Sequence, residues 1–182
     1  SLTITASTNL TIATTSASDH KQLWYAMETS SGVYALLNLE NGKFLNSPNA
    51  TGNADWTTVA SLGESSQFTV TLAETGYYAL RAINTTAGDH YMHYGSSTDD
   101  IVCWSYVNGA TNIAASCWKI NEASIAAATL KEKLNASDGF KAEAAKVALK
   151  NLFTDNACTE FKKSFGSLSE LEADADYQNL PS

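Results

Sequence analysis

The chain of 182 residues is poor in the features that mark several common classes of protein. It has 11 Lys and Arg residues against 19 Asp and Glu residues, which gives a formal net charge of −8. Nucleic-acid binding needs clusters of Lys and Arg that neutralise phosphates, and none occurs before residue 122, so nucleic acid is not an expected partner. No apolar run approaches the ~20 residues of a membrane-spanning helix, so no membrane span is expected. No signal peptide is visible, as expected for a chain whose leader has been removed.

The sequence also lacks the residue patterns of an active site or a metal centre. It has three His residues, and no group of three offers a metal site. His90 and His93 lie three apart on a predicted strand, so they should point to opposite faces. There is no Gly-x-Ser-x-Gly sequence and no Cys beside a suitable base. We therefore expect this chain to contain no catalytic site, no metal and no cofactor.

Charged residues make up only 16% of the chain, while Ser, Thr, Asn and Gly are abundant. This composition is typical of an extracellular β protein and predicts a secreted or cell-surface location. The Cys count is three, an odd number. Cys103 and Cys117 could form a disulfide if their strands are adjacent, or remain two small buried thiols, and the sequence leaves both open. Cys158 is expected to be a buried packing residue.

Three segments place a polar or small residue just before an aromatic residue that opens a strand-like run. They begin at Gln22, Gln67 and Ser116, and the aromatic residues are Trp24, Phe68 and Trp118. A spacing of about 45 to 49 residues between such segments indicates a repeat architecture. Large aromatic residues repeated in this way are expected first of all in a shared core.

Each repeat divides into four short strands. Asn41-Gly42 is a strong hairpin signal, and Phe68, Val70 and Leu72 alternate with polar residues as in a half-buried strand. The predicted strands are 2–5, 10–13, 22–28, 32–38, 44–46, 56–60, 67–72, 76–82, 91–94, 101–105 and 117–121. These eleven strands leave the first unit without its first strand, so we expect the chain to start inside a longer protein.

Three units of four short strands describe a β-trefoil. Gln22-Leu23-Trp24 resembles the Gln-x-Trp signature of ricin-type lectin repeats, and Asn38 to Leu45 resembles the Asn-x-x-x-Gly-Lys-Tyr-Leu hairpin of such trefoils in secreted bacterial proteins. The resemblance covers residues 1–122 and implies a mainly β fold, with the first strand of unit one missing. Only the first unit keeps a complete Gln-x-Trp.

Residues 123–182 change character and predict a short helical region, either a small bundle or a linker to a downstream domain. Helices are predicted at 124–134 and from Asp138 to Leu152, where apolar residues recur on one face. Two more are predicted at 156–165 and 167–176, the latter from a capping-box spacing. Residues 152–161 and 168–181 resemble a helical segment that precedes the catalytic domain of enhancin-like zinc metallopeptidases. That resemblance implies a catalytic domain downstream in cis, since the His-Glu-x-x-His motif is absent here.

The resemblance to ricin-type lectins implies a glycan or glycoprotein partner. In that family the pocket lies within one unit, between a residue after the first strand and an aromatic residue near the third. The matching candidates in unit two are Asn38, Glu40 and Trp56. In unit three they are Asn84, Asp89, Asp100, Trp104 and Tyr106. Asn38 and Asn84 replace the Asp of the family, and Trp56 and Trp104 occupy equivalent sequence places, so a packing role for both is the alternative.

Two functions follow from these patterns. The first is a non-catalytic, carbohydrate-binding module of a secreted or surface protein that degrades glycans or glycoproteins. The second is a protein-interaction or spacer module without sugar binding, because trefoils serve both purposes.

Overall fold

The structure is a computed structural model that describes residues 2–4, 10–16, 18–48, 54–74, 76–83, 90–95, 100–105 and 116–153. The chain divides into two compact units, Ser1–Gly139 and Phe140–Ser182. The domain boundary at residue 122 that the change in composition suggests stays a prediction.

The described part of the first unit holds ten strands and one complete helix. The strands are β1 (Leu2–Ile4), β2 (Leu10–Ile12), β3 (Trp24–Ser30), β4 (Val33–Asn38), β5 (Phe44–Asn46), β6 (Thr57–Val59), β7 (Phe68–Glu74), β8 (Tyr77–Ala82), β9 (His90–Gly95) and β10 (Asp100–Ser105). Helix α1 spans Ala127–Ala136, and α2 (Asp138–Phe153) begins at the end of this unit. Ten of the eleven predicted strands and two of the four predicted helices are present in the described residues. The helices predicted at 156–165 and 167–176, and Cys158, lie outside them.

Two long hairpins repeat each other. In β3–β4 Trp24 lies opposite Asn38, and in β7–β8 Phe68 lies opposite Ala82, each 44 residues further along the chain. Both hairpins shift register near their tips, and both turn through a Gly with positive φ, 73° at Gly32 and 79° at Gly76. Only a residue without a Cβ adopts this conformation at little cost, so glycine fixes the same tight turn in both repeats.

Three antiparallel hairpins, β1–β2, β5–β6 and β9–β10, form the second repeated feature. Their registers align three pairs of opposing residues, which are Leu2 with Ile12, Leu45 with Thr58, and Met92 with Cys103. The buried residue two positions before the second member of each pair is Leu10, Trp56 or Ile101. One unit after another therefore directs an apolar side chain into the same core from the same register position.

The core lies between these hairpins. It is built from Leu10, Leu45, Trp56, Phe68, Leu80, Ala82, Met92, Ile101 and Cys103. Trp24 and Trp118 pack against it, so the expectation that the three repeated aromatic residues serve the core is confirmed. Burying one such side chain contributes roughly 1.5–3 kcal/mol, which explains why the repeat keeps an aromatic residue there.

Two of these aromatic residues also hold a hairpin of their own unit. The Trp24 indole N–H donates to the Leu2 carbonyl at 3.4 Å, and the Trp118 indole N–H donates to the Met92 carbonyl at 2.9 Å. Leu2 and Met92 occupy equivalent register positions, so the two bonds are repeats of each other. Phe68 has no such donor, and Trp56 stacks on it instead, with ring centroids 5.3 Å apart.

The eleventh predicted strand, 117–121, is reduced to one bridge. Trp118 and Tyr78 exchange two backbone hydrogen bonds of 2.8 and 2.9 Å, and Ile120 is 57% exposed. Among the described residues no strand lies beside this segment as β4 lies beside β3, so pairing stops after one residue. With this difference, the three repeated sets of strands form the expected β-trefoil, followed by a short helical region.

The end of α1 packs against the strands of its own unit. The Ser137 hydroxyl donates to the Gly42 carbonyl at 2.7 Å, and Lys133 forms an ion pair with Glu40 at 3.5 Å. Gly139 lies so close to the Ala60 carbonyl and the Phe44 ring that a Cβ at this position would overlap both. Residues 137–139 are therefore fitted to the trefoil surface.

The described part of the second unit continues α2 to Phe153. Within this helix, Lys146 and Glu143 form an ion pair at 2.7 Å on neighbouring turns. Neither helix of the described chain is long and apolar enough to cross a membrane.

Candidate functional site

The strongest candidate site is the outer face of the β9–β10 hairpin. Met92, Ile101 and Cys103 point into the core, so the alternate residues of both strands lie on the opposite face, where Trp104 is exposed but Val102 and His93 are buried. The antiparallel register places Tyr91 opposite Trp104 on this outer face. We call it the β9–β10 face and define it by Tyr91, His93, Gly95, Asp100, Val102 and Trp104.

Trp104 gives this face an accessible aromatic ring. Its side chain is 37% exposed, in contrast to the fully buried Trp56. The ring lies 6.3 Å from the His93 ring, measured between centroids, with 36° between their planes. Because the strand pairing is regular on both sides, the ring is held by a rigid element rather than by a loop.

His93 is a buried polar group next to the exposed ring. It is 8% exposed, and its Nδ1 lies 2.8 Å from the hydroxyl oxygen of the buried Ser116. Burial lowers the pKa of His93 below its ordinary value of 6.5, because the charged imidazolium would lose solvation. At neutral pH the face therefore presents a neutral imidazole held by a serine.

Asp100 lies at the other end of the same face. It is half-buried, and its partner across the hairpin is Gly95, which has no side chain. Four residues of extended strand separate Asp100 from Trp104, about 13 Å at the usual rise. The hairpin thus carries a carboxylate and an aromatic ring on β10 and a polar imidazole on β9.

Trp56 does not have the role that the sequence suggested. It is fully buried and stacked on Phe68, and its indole N–H has no oxygen or nitrogen acceptor in the described chain. The hairpin registers align Trp56 with Ile101, whereas Trp104 aligns with Val59. The interpretation of Trp56 and Trp104 as equivalent is therefore wrong, because the two residues lie three register positions apart.

Asn38 is also a structural residue. It is fully buried, and its amide donates to the carbonyls of Lys21 and Leu23 at 2.9 and 3.5 Å. Its side-chain oxygen accepts from the backbone N–H groups of Glu40 and Asn41 at 3.0 and 3.3 Å. All of its hydrogen-bonding positions serve the chain itself, so Asn38 shapes the β4–β5 turn and offers nothing to a ligand.

In unit two, the equivalent of the β9–β10 face is covered. Phe44 lies opposite Val59, as Tyr91 lies opposite Trp104, but Phe44 is fully buried. Gly139 lies against the Phe44 ring and the Ala60 carbonyl. Glu40 remains partly exposed on the adjacent turn and pairs with Lys133, so it is not grouped with an accessible aromatic ring.

The remaining predicted ligands are Asn84, Asp89 and Tyr106, which lie outside the described residues. Sequence reasoning missed Tyr91, His93 and Ser116. The alternation of Tyr91 and His93 around Met92 is a signal that could have found the first two. No local sequence pattern identifies Ser116, because it contacts His93 from 23 residues further along the chain.

The two described cysteines are not joined in a disulfide. Cys103 is buried, and burial raises the pKa of its thiol, while contacts with the Ser47 hydroxyl and the Trp56 indole lower it by less. Cys117 is partly exposed, so the alternative of two small buried thiols holds for Cys103 and not for Cys117. The described residues contain no group of three His, Cys, Asp or Glu side chains that could hold a metal ion.

Comparison with known proteins supports the fold. A family described as "Ricin-type beta-trefoil lectin domain-like" matches residues 20–104. No curated protein matches the chain.

Two solved structures are similar. The first, the crystal structure of the designed 3-fold symmetric protein ThreeFoil, is 22% identical and covers 66% of this chain and 89% of its own, with a TM-score of 0.55. The second, SeviL bound to asialo-GM1 saccharide, is 17% identical and covers 68% of this chain and 88% of its own, with a TM-score of 0.50. At these identities the similarity establishes the β-trefoil fold alone.

Proposed function

We propose that this chain is a carbohydrate-binding module and that it binds sugar on the β9–β10 face. The observation that carries the proposal is the exposed Trp104 ring on a regular hairpin, beside His93 and in line with Asp100. The apolar face of a sugar ring stacks on a flat aromatic side chain, while polar groups beside it fix the hydroxyls. Trp104 supplies the platform, Tyr91 extends it, Asp100 offers a carboxylate, and the buried His93 lies beside the Trp104 ring.

The fold gives this proposal further support. Residues 20–104 match a lectin-type trefoil family, and the SeviL structure holds a saccharide. The same fold also occurs without sugar binding, and the exposed Trp104 ring is the observation that favours sugar binding here.

We further propose that the module is secreted or displayed at a cell surface and serves a catalytic domain in cis. The Ser-, Thr- and Asn-rich composition with 16% charged residues supports the location. The resemblance of residues 152–161 and 168–181 to the segment preceding enhancin-like metallopeptidase domains supports the context. In this arrangement the chain contributes binding to glycan or glycoprotein and no catalysis.

Sugar binding is tested with a glycan array on the whole chain, followed by titration of the best glycan. Trp104→Ala should weaken binding by at least about tenfold, which corresponds to losing about 1.4 kcal/mol of ring contact. Tyr77→Ala is the matched control, because Tyr77 is 43% exposed on β8 and does not belong to the β9–β10 face. Equal binding by wild type and Trp104→Ala would refute this site.

A second candidate, protein interaction, rests on two exposed apolar side chains. Leu72 is 66% exposed and Tyr77 is 43% exposed, and both lie near the β7–β8 turn. A folded chain that binds no glycan on the array would favour this function over sugar binding.

A further inference from the structure

The distribution of charge around the β9–β10 face is one-sided. Between Arg81 and Lys119 the sequence contains no Lys or Arg, but it contains three Asp residues, namely Asp89, Asp99 and Asp100. Asp89 and Asp99 lie outside the described residues, and only their contribution to the charge of this segment is used. Unit three therefore carries carboxylates and no permanently charged cation across the whole stretch that builds the face.

The four cations of the strand region lie elsewhere. Arg81 lies on β8 opposite Thr69, and Lys119 follows the residue that bridges to Tyr78 on the same strand. Lys43 lies at the β4–β5 turn, where its N–H donates to Asn41, and Lys21 lies just before β3, where its carbonyl accepts from Asn38. None of the four lies on the β9–β10 hairpin.

His93 does not replace the missing cation. It is buried, its Nδ1 is bonded to Ser116, and burial lowers its pKa, so it is neutral at pH 7. A sugar carboxylate or sulfate on this face would thus meet the Asp100 carboxylate without a compensating charge. Recognition of such anions normally uses Arg or Lys in charge-assisted hydrogen bonds.

We propose that the β9–β10 face selects neutral glycans over glycans that carry sialic acid, uronic acid or sulfate. The inference rests on the proposed sugar-binding function and adds the chemical class of its ligand. Two unit charges at about the 13 Å that separates Asp100 from Trp104 repel enough to weaken binding by somewhat less than about twofold in bulk water and by about ninefold at a partly shielded protein surface. The penalty should shrink as salt shortens the screening length.

The test compares matched ligands on the whole chain. Immobilised asialofetuin and fetuin, which differ in sialic acid, and a neutral oligosaccharide with its sulfated form are titrated at low and at 0.5 M salt. We expect tighter binding of the neutral member of each pair, with a smaller gap at high salt. Asp100→Asn should narrow the gap at low salt, whereas Glu132→Gln, which removes an exposed carboxylate from α1, should leave it unchanged.

The outcomes separate the two proposals. Equal or tighter binding of the sialylated or sulfated member, abolished by Trp104→Ala, would overturn the selectivity and leave sugar binding intact. A gap that Asp100→Asn does not alter would overturn the assignment of the selectivity to this face. Binding of neither member of any pair by a folded chain would remove sugar binding and the selectivity together.

Discussion

Substituting Gly139 by Ala should destabilise the trefoil, although Gly139 lies in the first turn of helix α2. Inside a helix this change normally stabilises by up to about 1 kcal/mol, because Ala has the higher helix propensity. Here the added methyl carbon would overlap the Ala60 carbonyl oxygen and lie 2.7 Å from Cε2 of Phe44. A backbone carbonyl cannot rotate away as a flexible side chain can. Overpacking of this kind costs about 1–3 kcal/mol, so after the propensity gain is subtracted the net loss is up to about 2 kcal/mol.

Urea unfolding followed by tryptophan fluorescence measures this difference directly. Gly63→Ala is the matched control, because no atom lies within 4 Å of a Cβ at Gly63 and its φ of −137° suits any residue. We expect a lower unfolding midpoint for Gly139→Ala and an unchanged or higher midpoint for Gly63→Ala. If Gly139→Ala is as stable as the wild type, residues 137–139 do not pack on the strands, and the covering of Phe44 described above is wrong.

Three further predictions concern the core and the histidine. Trp118→Phe should lower the free energy of unfolding by about 1 kcal/mol in urea titrations, because the indole bond to the Met92 carbonyl is lost, and an unchanged value would contradict that bond. Native Cys117 should react with a thiol reagent faster than Cys103, since burial raises the pKa of Cys103, and peptide mapping would reveal the opposite order. Because the pKa of His93 is lowered in the folded chain, the imidazole gains its proton more readily in the unfolded chain. The free energy of unfolding should therefore fall as the pH drops through about 6.5, and His93→Gln should flatten this dependence in thermal melts.

The repeat itself could be predicted from the sequence because it has a simple physical cause. Each unit needs a large apolar residue at the same register position. Trp24, Phe68 and Trp118 meet this need, and their nearly regular spacing reveals the repeat in the sequence. The turn at Asn41-Gly42 could also be predicted, because Asn-Gly favours a turn with positive φ, and Gly42 has a φ of 65°.

The candidate site could be predicted only in part. Trp56 and Trp104 look alike in sequence, and their separation into core and surface depends on a difference of three register positions. A slip of an odd number of residues moves a side chain to the other face of a strand, and a single sequence does not fix that number. The place of Asn38 at the end of a strand predicts a ligand, yet the turn uses all of its polar atoms. The fit of Gly139 against Ala60 depends on a contact across 79 residues of chain, which no local pattern records.

The registers also bear on valency. The positions that align with Trp104 in the other two units are Ala13 and Val59, neither of which carries an aromatic ring. Among the described residues this register position therefore carries one aromatic ring, that of Trp104, although the scaffold repeats three times. A single shallow platform gives weak binding to an individual glycan. Strong retention on a glycan-rich surface would then come from many copies acting together, whose avidity exceeds single-site affinity by a factor of roughly 10² to 10⁴.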